Sequence, residues 1–154
     1  MLHGLDFLHR LTAAGFAGGC LLLSVMLGAL FGLTPERAAD VMHTLLPRMG
    51  SVMAPLLVLS ASSALLLAAL KGAPRRRARW IVAAALSGAA LVTAVVHLPI
   101  NDQLLHQDTW SAAQASALLE RWLHWHHLRT ALALVALGVC SWPAPAQARA
   151  PRSA

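Results

Sequence analysis

The sequence predicts an all-α fold, a four-transmembrane-helix bundle with a short amphipathic helix between spans 1 and 2. Three observations predict it. Hydrophobic residues make up 58% of the chain and charged residues only 12%, with a mean hydropathy of +0.63, whereas a soluble domain carries about 25% charged residues. Long uncharged runs of Leu, Ala, Val and Gly recur four times, separated by short polar segments. The net charge of +6 is concentrated rather than spread over one face: Lys71, Arg75, Arg76, Arg77 and Arg79 crowd between two apolar runs. That pattern is a membrane-topology signal, so the bilayer is the expected partner and nucleic acid is not.

The 154 residues make one domain. A membrane domain is expected over residues 1–143, with spans at about 11–33, 49–70, 80–98 and 122–142, and a disordered Pro/Ala/Arg tail over 144–154. A polar lead carries His3, Asp6, His9 and Arg10 into the first span. Gly15 and Gly19, then Gly28 and Gly32, recur there at four-residue spacing, which lets another helix backbone approach. Cys20 lies inside this run, and Ala17 stands where a lipoprotein cleavage box needs a large aliphatic, so an uncleaved first span is expected. Cys20 and Cys140 read as small core residues, since neither has CxxC spacing. Thr34-Pro35-Glu36 is a helix start. It opens the amphipathic segment, with Val41, Leu45 and Leu46 apolar and Glu36, Arg37 and Asp40 polar.

The second span contains Pro55, which should kink it, and Ser60, Ser62 and Ser63, which should bond to backbone carbonyls. Trp80 follows the basic loop as an interfacial anchor. Pro99 disfavours helix at the residue before it, so the third span should end near Leu98. Eight basic residues (Arg10, the five of the loop, Arg149, Arg152) fall on one side and four (Arg37, Arg48, Arg121, Arg129) on the other. Both termini are therefore expected in the cytoplasm of a multi-pass plasma (inner) membrane protein.

The fourth span is anomalous. The uncharged run from Thr130 to Trp142 covers roughly 20 Å, about two-thirds of the hydrocarbon layer. To cross, the helix must take Arg129, and with it His126 and His127, into the membrane. Ionisable groups at that depth mark function by default, the alternative being an arginine that snorkels to the headgroups.

At 100° per residue this helix has two polar sides. Glu120, His124 and His127 form one stripe, a candidate divalent-metal set that His97 or His43 would complete. Trp122, His126 and Arg129 form the other, flanked by Arg121 and Trp125. Aromatic planes, an imidazole and fixed cations suit a flat acidic organic molecule.

The pattern Pro99-Ile-Asn101-Asp, followed by Arg121-Trp122-x-x-Trp125-His126-x-x-Arg129-Thr130-x-Leu132, resembles the DUF1772 family of small four-helix membrane proteins, which includes the anthrone oxygenases. The resemblance covers roughly residues 10 to 142, and His124 and His127 lie outside its pattern. It implies oxidation of a phenolic tricycle to a quinone by O2 with no cofactor, in an outer-face pocket between spans 3 and 4. His126 would be the base that removes an activated C–H proton. Arg129 and Arg121 would stabilise the oxyanion. Asn101 would orient a substrate oxygen, Trp122 or Trp125 would stack on its rings, and His97 would join the substrate-binding side.

A second reading needs no chemistry: a membrane module, either a partner subunit, including a homo-oligomer, or a small-molecule binder, built on the small-residue faces. Under that reading Asn101 caps a loop, the tryptophans are interface anchors, and Arg121 pairs with Glu120, Asp102 or Asp108.

Overall fold

In the computed structural model, residues 2–30, 32–70, 75–107 and 109–142 are described. Lys71 of the basic loop, Asp108 and the 144–154 tail lie outside them. The described chain is all-α: α1 (Leu2–Leu30), α2 (Pro35–Ala69), α3 (Arg76–Val92), a π-helical turn (Thr93–His97), α4 (Leu98–His106) and α5 (Ala112–Ser141). Three rods are long and apolar enough to cross a membrane, His3–Leu30, Pro35–Ala69 and Arg76–His106. Helix α5 has the length, with 30 residues, but the polar stretch before Thr130 keeps it out of that set.

Two expectations about element boundaries are corrected. The segment from Pro35 is not a separate amphipathic helix but the first part of α2, which runs 35 residues through both Pro47 and Pro55. Ala38, Ala39, Met42 and Leu46 are buried on its inner face, so packing carries the helix through proline positions that propensity alone would break. The third span does not end at Leu98 either. Proline lacks an N–H and its ring crowds the carbonyl four residues back. The turn just before Pro99 widens to π geometry, the Leu98 N–H bonding to the Thr93 carbonyl, and the rod continues to His106.

The rods run up, down, up, down. Gly15 faces Leu56 while Gly19 faces Met53, so α1 and α2 are antiparallel. Ser24 meets His126 while His9 meets Cys140, so α1 and α5 are antiparallel too. Helix α1 packs on α2 and α5, and α3 packs on α2 and α5. The core falls into two apolar clusters. One is made of small residues around Phe16, Ala61, Leu86 and Ala133. The other, bulkier, surrounds Leu27, Met42, Ile100, Leu104 and Trp122.

Of the glycines expected to admit a neighbouring backbone, Gly15 and Gly19 instead make room for side chains of α2, Leu56 and Met53. A Cβ on Gly19 would run into the Met53 thioether, whereas Gly28 faces open space. Ser60 and Ser63 donate to carbonyls of their own helix, as expected. Gly19→Leu should therefore overpack α1 against α2 and cost about 1–3 kcal/mol, and Gly28→Leu should be neutral. Thermal unfolding of the two variants in the same detergent checks this: equal melting temperatures would contradict the packing described.

Candidate functional site

Helix α5 turns one of its two polar sides inward. Trp122, His126, Arg129, Thr130, Ala133 and Ala136 are buried on it, a seam with the three- and four-residue steps of a core-facing helix. Glu120, His124 and His127 are exposed. Among the described residues no group of three His, Cys, Asp or Glu side chains is disposed to hold a metal ion. His43 lies elsewhere, its Nε2 3.2 Å from the Leu105 carbonyl.

At the centre is Arg129, whose side chain is 7% exposed. The ion pairs among the described residues are Arg10 with Asp6 and His106 with Asp102, and neither involves Arg129. Its Nη2 lies 2.9 Å from His126 Nδ1. A guanidinium only donates, so His126 Nδ1 must present a lone pair and the ring must carry its proton on Nε2. The other partners agree. His126 Nε2 lies 3.0 Å from Ser24 Oγ and 3.4 Å from Thr130 Oγ1. Both hydroxyls spend their protons on carbonyls, Ser24 on Cys20 at 3.0 Å and Thr130 on His126 at 2.8 Å. They can only accept from Nε2–H. Every polar position of this imidazole is filled, and its basic lone pair faces a cation.

A second histidine completes the cluster. The π turn carries His97 into the interior, where it is 1% exposed, and such turns often mark functional positions. Its Nδ1 lies 3.4 Å from the Val92 carbonyl, a long contact in which only Nδ1–H can donate. Nε2 is therefore the lone-pair nitrogen, and it is buried without a partner. Among the described residues, Arg129 Nε is the other buried side-chain polar atom left unpartnered.

Trp122 ties these groups together. It stacks on His126 with centroids 5.0 Å apart and 17° between planes, meets His97 edge-on at 5.0 Å, and lies 5.9 Å from Arg129 Cζ. Its Nε1–H donates to Asn101 Oδ1 at 2.8 Å. Asn101, one helical turn beyond His97, thus fixes the indole.

Of the residues singled out from sequence, the fold gathers His97, Asn101, Trp122, His126 and Arg129. Arg121 is exposed, and Trp125 is half-buried with its ring against His124. Thr130, part of the sequence pattern, belongs to the cluster, and so does Ser24, which carries no sequence signal because a serine in an apolar run reads as a back-bonded helix residue. Cys20 also lies beside Arg129 and Thr130. A cleft of about 250 Å3 approaches the cluster, lined by residues of α1, α2 and α5 that include Leu27, Pro35, Met42, Leu119 and Trp122. It lies on the α1/α2 side of α5, not between spans 3 and 4, because α3 and α5 pack closely through Gly88 and Leu132.

A smaller polar layer joins α1, α2 and α5 at the other end. His9, 3% exposed, reaches Ser63 Oγ at 3.1 Å and Cys140 Sγ at 3.2 Å. Since Ser63 donates to the Leu59 carbonyl at 2.6 Å, its oxygen accepts from His9 Nδ1–H and the Cys140 thiol donates to Nε2. The sequence placed His9 in a polar lead; the structure makes it a buried link.

Arg129 costs stability where it stands. Taking a cation out of water into a protein interior costs several kcal/mol, and a neutral imidazole does not balance its charge. Arg129→Met removes that cost and leaves His126 Nδ1 unpaired, a loss of about 1–3 kcal/mol. The net expectation is a melting temperature equal to or above that of the wild type, measured in detergent. A fall of several degrees would show that Arg129 is there for the fold.

Comparison with known proteins gives one family match. The family model described as anthrone oxygenase matches residues 43–139, a range that holds His97, Asn101, Trp122, His126 and Arg129. No match was found among curated proteins or among solved structures. Because the matched segment is more than half of the 154-residue chain, the protein belongs to the anthrone oxygenase (DUF1772) family.

Proposed function

We propose that this protein is a membrane-embedded oxygenase that oxidises a phenolic polycyclic substrate with O2 and without a cofactor. The observation that carries the reading is Arg129: a buried guanidinium with no carboxylate partner among the described residues, its buried Nε–H without an acceptor among them, and a neutral imidazole holding it in place. A fixed cation in a water-poor site favours whatever develops negative charge beside it. A phenol-bearing aryl ketone does so when it loses a C–H proton, since the charge moves to oxygen. The electron-rich enolate then reduces O2.

His126 serves as a positioning residue, orienting Arg129 through Nδ1. Trp122 offers a ring face for stacking, and the apolar cleft that ends on it is a route for a hydrophobic substrate from the bilayer. At about 250 Å3 it is close to the lower end, ~300 Å3, of small-molecule sites. Asn101, engaged with Trp122, sets the indole's position. The concentration of Arg75, Arg76, Arg77 and Arg79 at the start of α3 supports a topology with that end, and both termini, in the cytoplasm of the plasma membrane. The oxidation site then lies toward the outer face, with α5 as a fourth span.

The test is O2 uptake by purified protein in detergent, given a panel of anthrones and hydroquinones. Wild type should consume O2 in proportion to quinone formed. Arg129→Met should lose 10²- to 10³-fold in rate, about the effect of removing one oxyanion donor. Arg121→Ala and Trp125→Ala, outside the buried cluster, should stay within about threefold of wild type, in line with surface substitutions. No uptake by the wild type across the panel, or an undiminished Arg129→Met, would sink the oxygenase reading and favour a non-enzymatic module.

A further inference from the structure

Among the described residues, two fully buried atoms of the cluster lack a hydrogen-bond partner, and they are complementary. His97 Nε2 is a lone pair without a donor, and Arg129 Nε carries a proton without an acceptor. Both lie against Trp122, the His97 ring at 5.0 Å and Arg129 Cζ at 5.9 Å. Leaving a buried polar group unpaired costs about 1–3 kcal/mol, and nearly all buried groups avoid it. Two such unpaired atoms around one indole describe a ligand that gives a proton at one point and accepts a hydrogen bond at another. His126 does not fill that role, because Nδ1 already accepts from Arg129 and Nε2–H already donates to Ser24.

We propose that His97, not His126, is the proton acceptor of this site. This rests on the oxygenase reading above. The C–H bond breaks, its proton goes to His97 Nε2, and its electron pair becomes an enolate whose oxygen faces Arg129 Nε–H. The enolate carbon gives its electrons to O2 and forms a C–O bond. The resulting peroxide anion takes the proton back from His97. His97 then removes the second proton from the same carbon, the C=O bond forms as the O–O bond breaks, and the departing hydroxide leaves as water with the His97 proton. One CH2 and one O2 become one C=O and one H2O, and His97 ends neutral.

The π turn has a specific purpose in this account. The Val92 carbonyl, five residues back, holds Nδ1–H and so commits the ring to the tautomer whose Nε2 is basic. Asn101 and Trp122 place the stacking surface next to it.

The experiment follows proton transfer separately from oxidation. Under nitrogen in D2O, the protein is mixed with an anthrone, and deuterium entry at its methylene carbon is read by mass spectrometry. O2 uptake and ligand binding are measured in parallel. Wild type should accelerate exchange. His97→Gln should lose it by 10²- to 10⁴-fold, the usual worth of a general base, while binding stays within a few fold. Added imidazole should restore part of the exchange in His97→Ala. His126→Gln should lose far less exchange. If His97→Gln exchanges like wild type and His126→Gln does not, the base is His126, and this inference fails while the oxygenase reading stands. If wild type neither exchanges nor consumes O2, the oxygenase reading fails and takes the inference with it. A readout independent of any variant's folding is the 15N spectrum of histidine-labelled wild type. It should show His97 protonated on Nδ1 and bare on Nε2, and the opposite tautomer would overturn the assignment.

Discussion

The site depends on the contact between a guanidinium and a neutral imidazole in the interior of a helical fold. Arg129 could discharge its cost by pairing with a carboxylate, yet the buried partner it meets is His126 Nδ1 at 2.9 Å. An imidazole lone pair satisfies one N–H without cancelling the charge. The field of the cation is therefore kept for something else, and the surrounding groups are arranged around that choice. Ser24 and Thr130 hold the opposite face of His126, Trp122 stacks on its ring, and His97 sits beyond with an unused lone pair.

Such a cluster has to be held by apolar mass on both sides, and the two core clusters do this. Below it, the small-residue cluster lets α1, α2, α3 and α5 approach closely enough to exclude water. Above it, the bulky cluster around Leu27, Met42, Leu104 and Trp122 closes the other end. The polar layers of His9 and Ser24 are separated by about 22 Å at ~1.5 Å per residue, and those of Cys140 and His126 on α5 give nearly the same spacing. The two helices thus carry two matched polar layers across an apolar slab. Membrane spans place their few hydrogen-bonding groups in such pairs because an unmatched one has no water to turn to.

Much of this was legible in the sequence, for physical reasons. Span arithmetic on the short run after Arg129 singled out His126 and Arg129, which the fold buries, and helical angles separated the Trp122/His126/Arg129 side from the Glu120/His124/His127 stripe. Both follow from geometry that tertiary context does not alter. What stayed hidden depended on context. Pro99 reads locally as a helix end, and only a π turn upstream lets the rod continue to His106. Pro35 reads as the start of a separate segment, and only burial of Ala39 and Met42 makes it the start of α2. Arg121 and Trp125 share the motif with Trp122 and His126, but once α5 commits its inner side Arg121 faces outward and Trp125 is left half-buried at the edge. Ser24 lies on a helix about a hundred residues away, and no local pattern points to it. Which ring nitrogens of His97 and His126 are occupied was the hardest to see, because the partners, Val92, Arg129 and Ser24, are set by the fold.

The central claim is that Arg129 is kept as a buried cation in order to favour the anion of the bound substrate. The most direct measurement is the absorption spectrum of an anthrone bound anaerobically at neutral pH, compared between wild type and Arg129→Met. The account predicts the long-wavelength enolate band in the wild-type complex and the neutral ketone spectrum in the variant. A neutral ketone in both complexes, or an enolate band of equal strength in both, would contradict it.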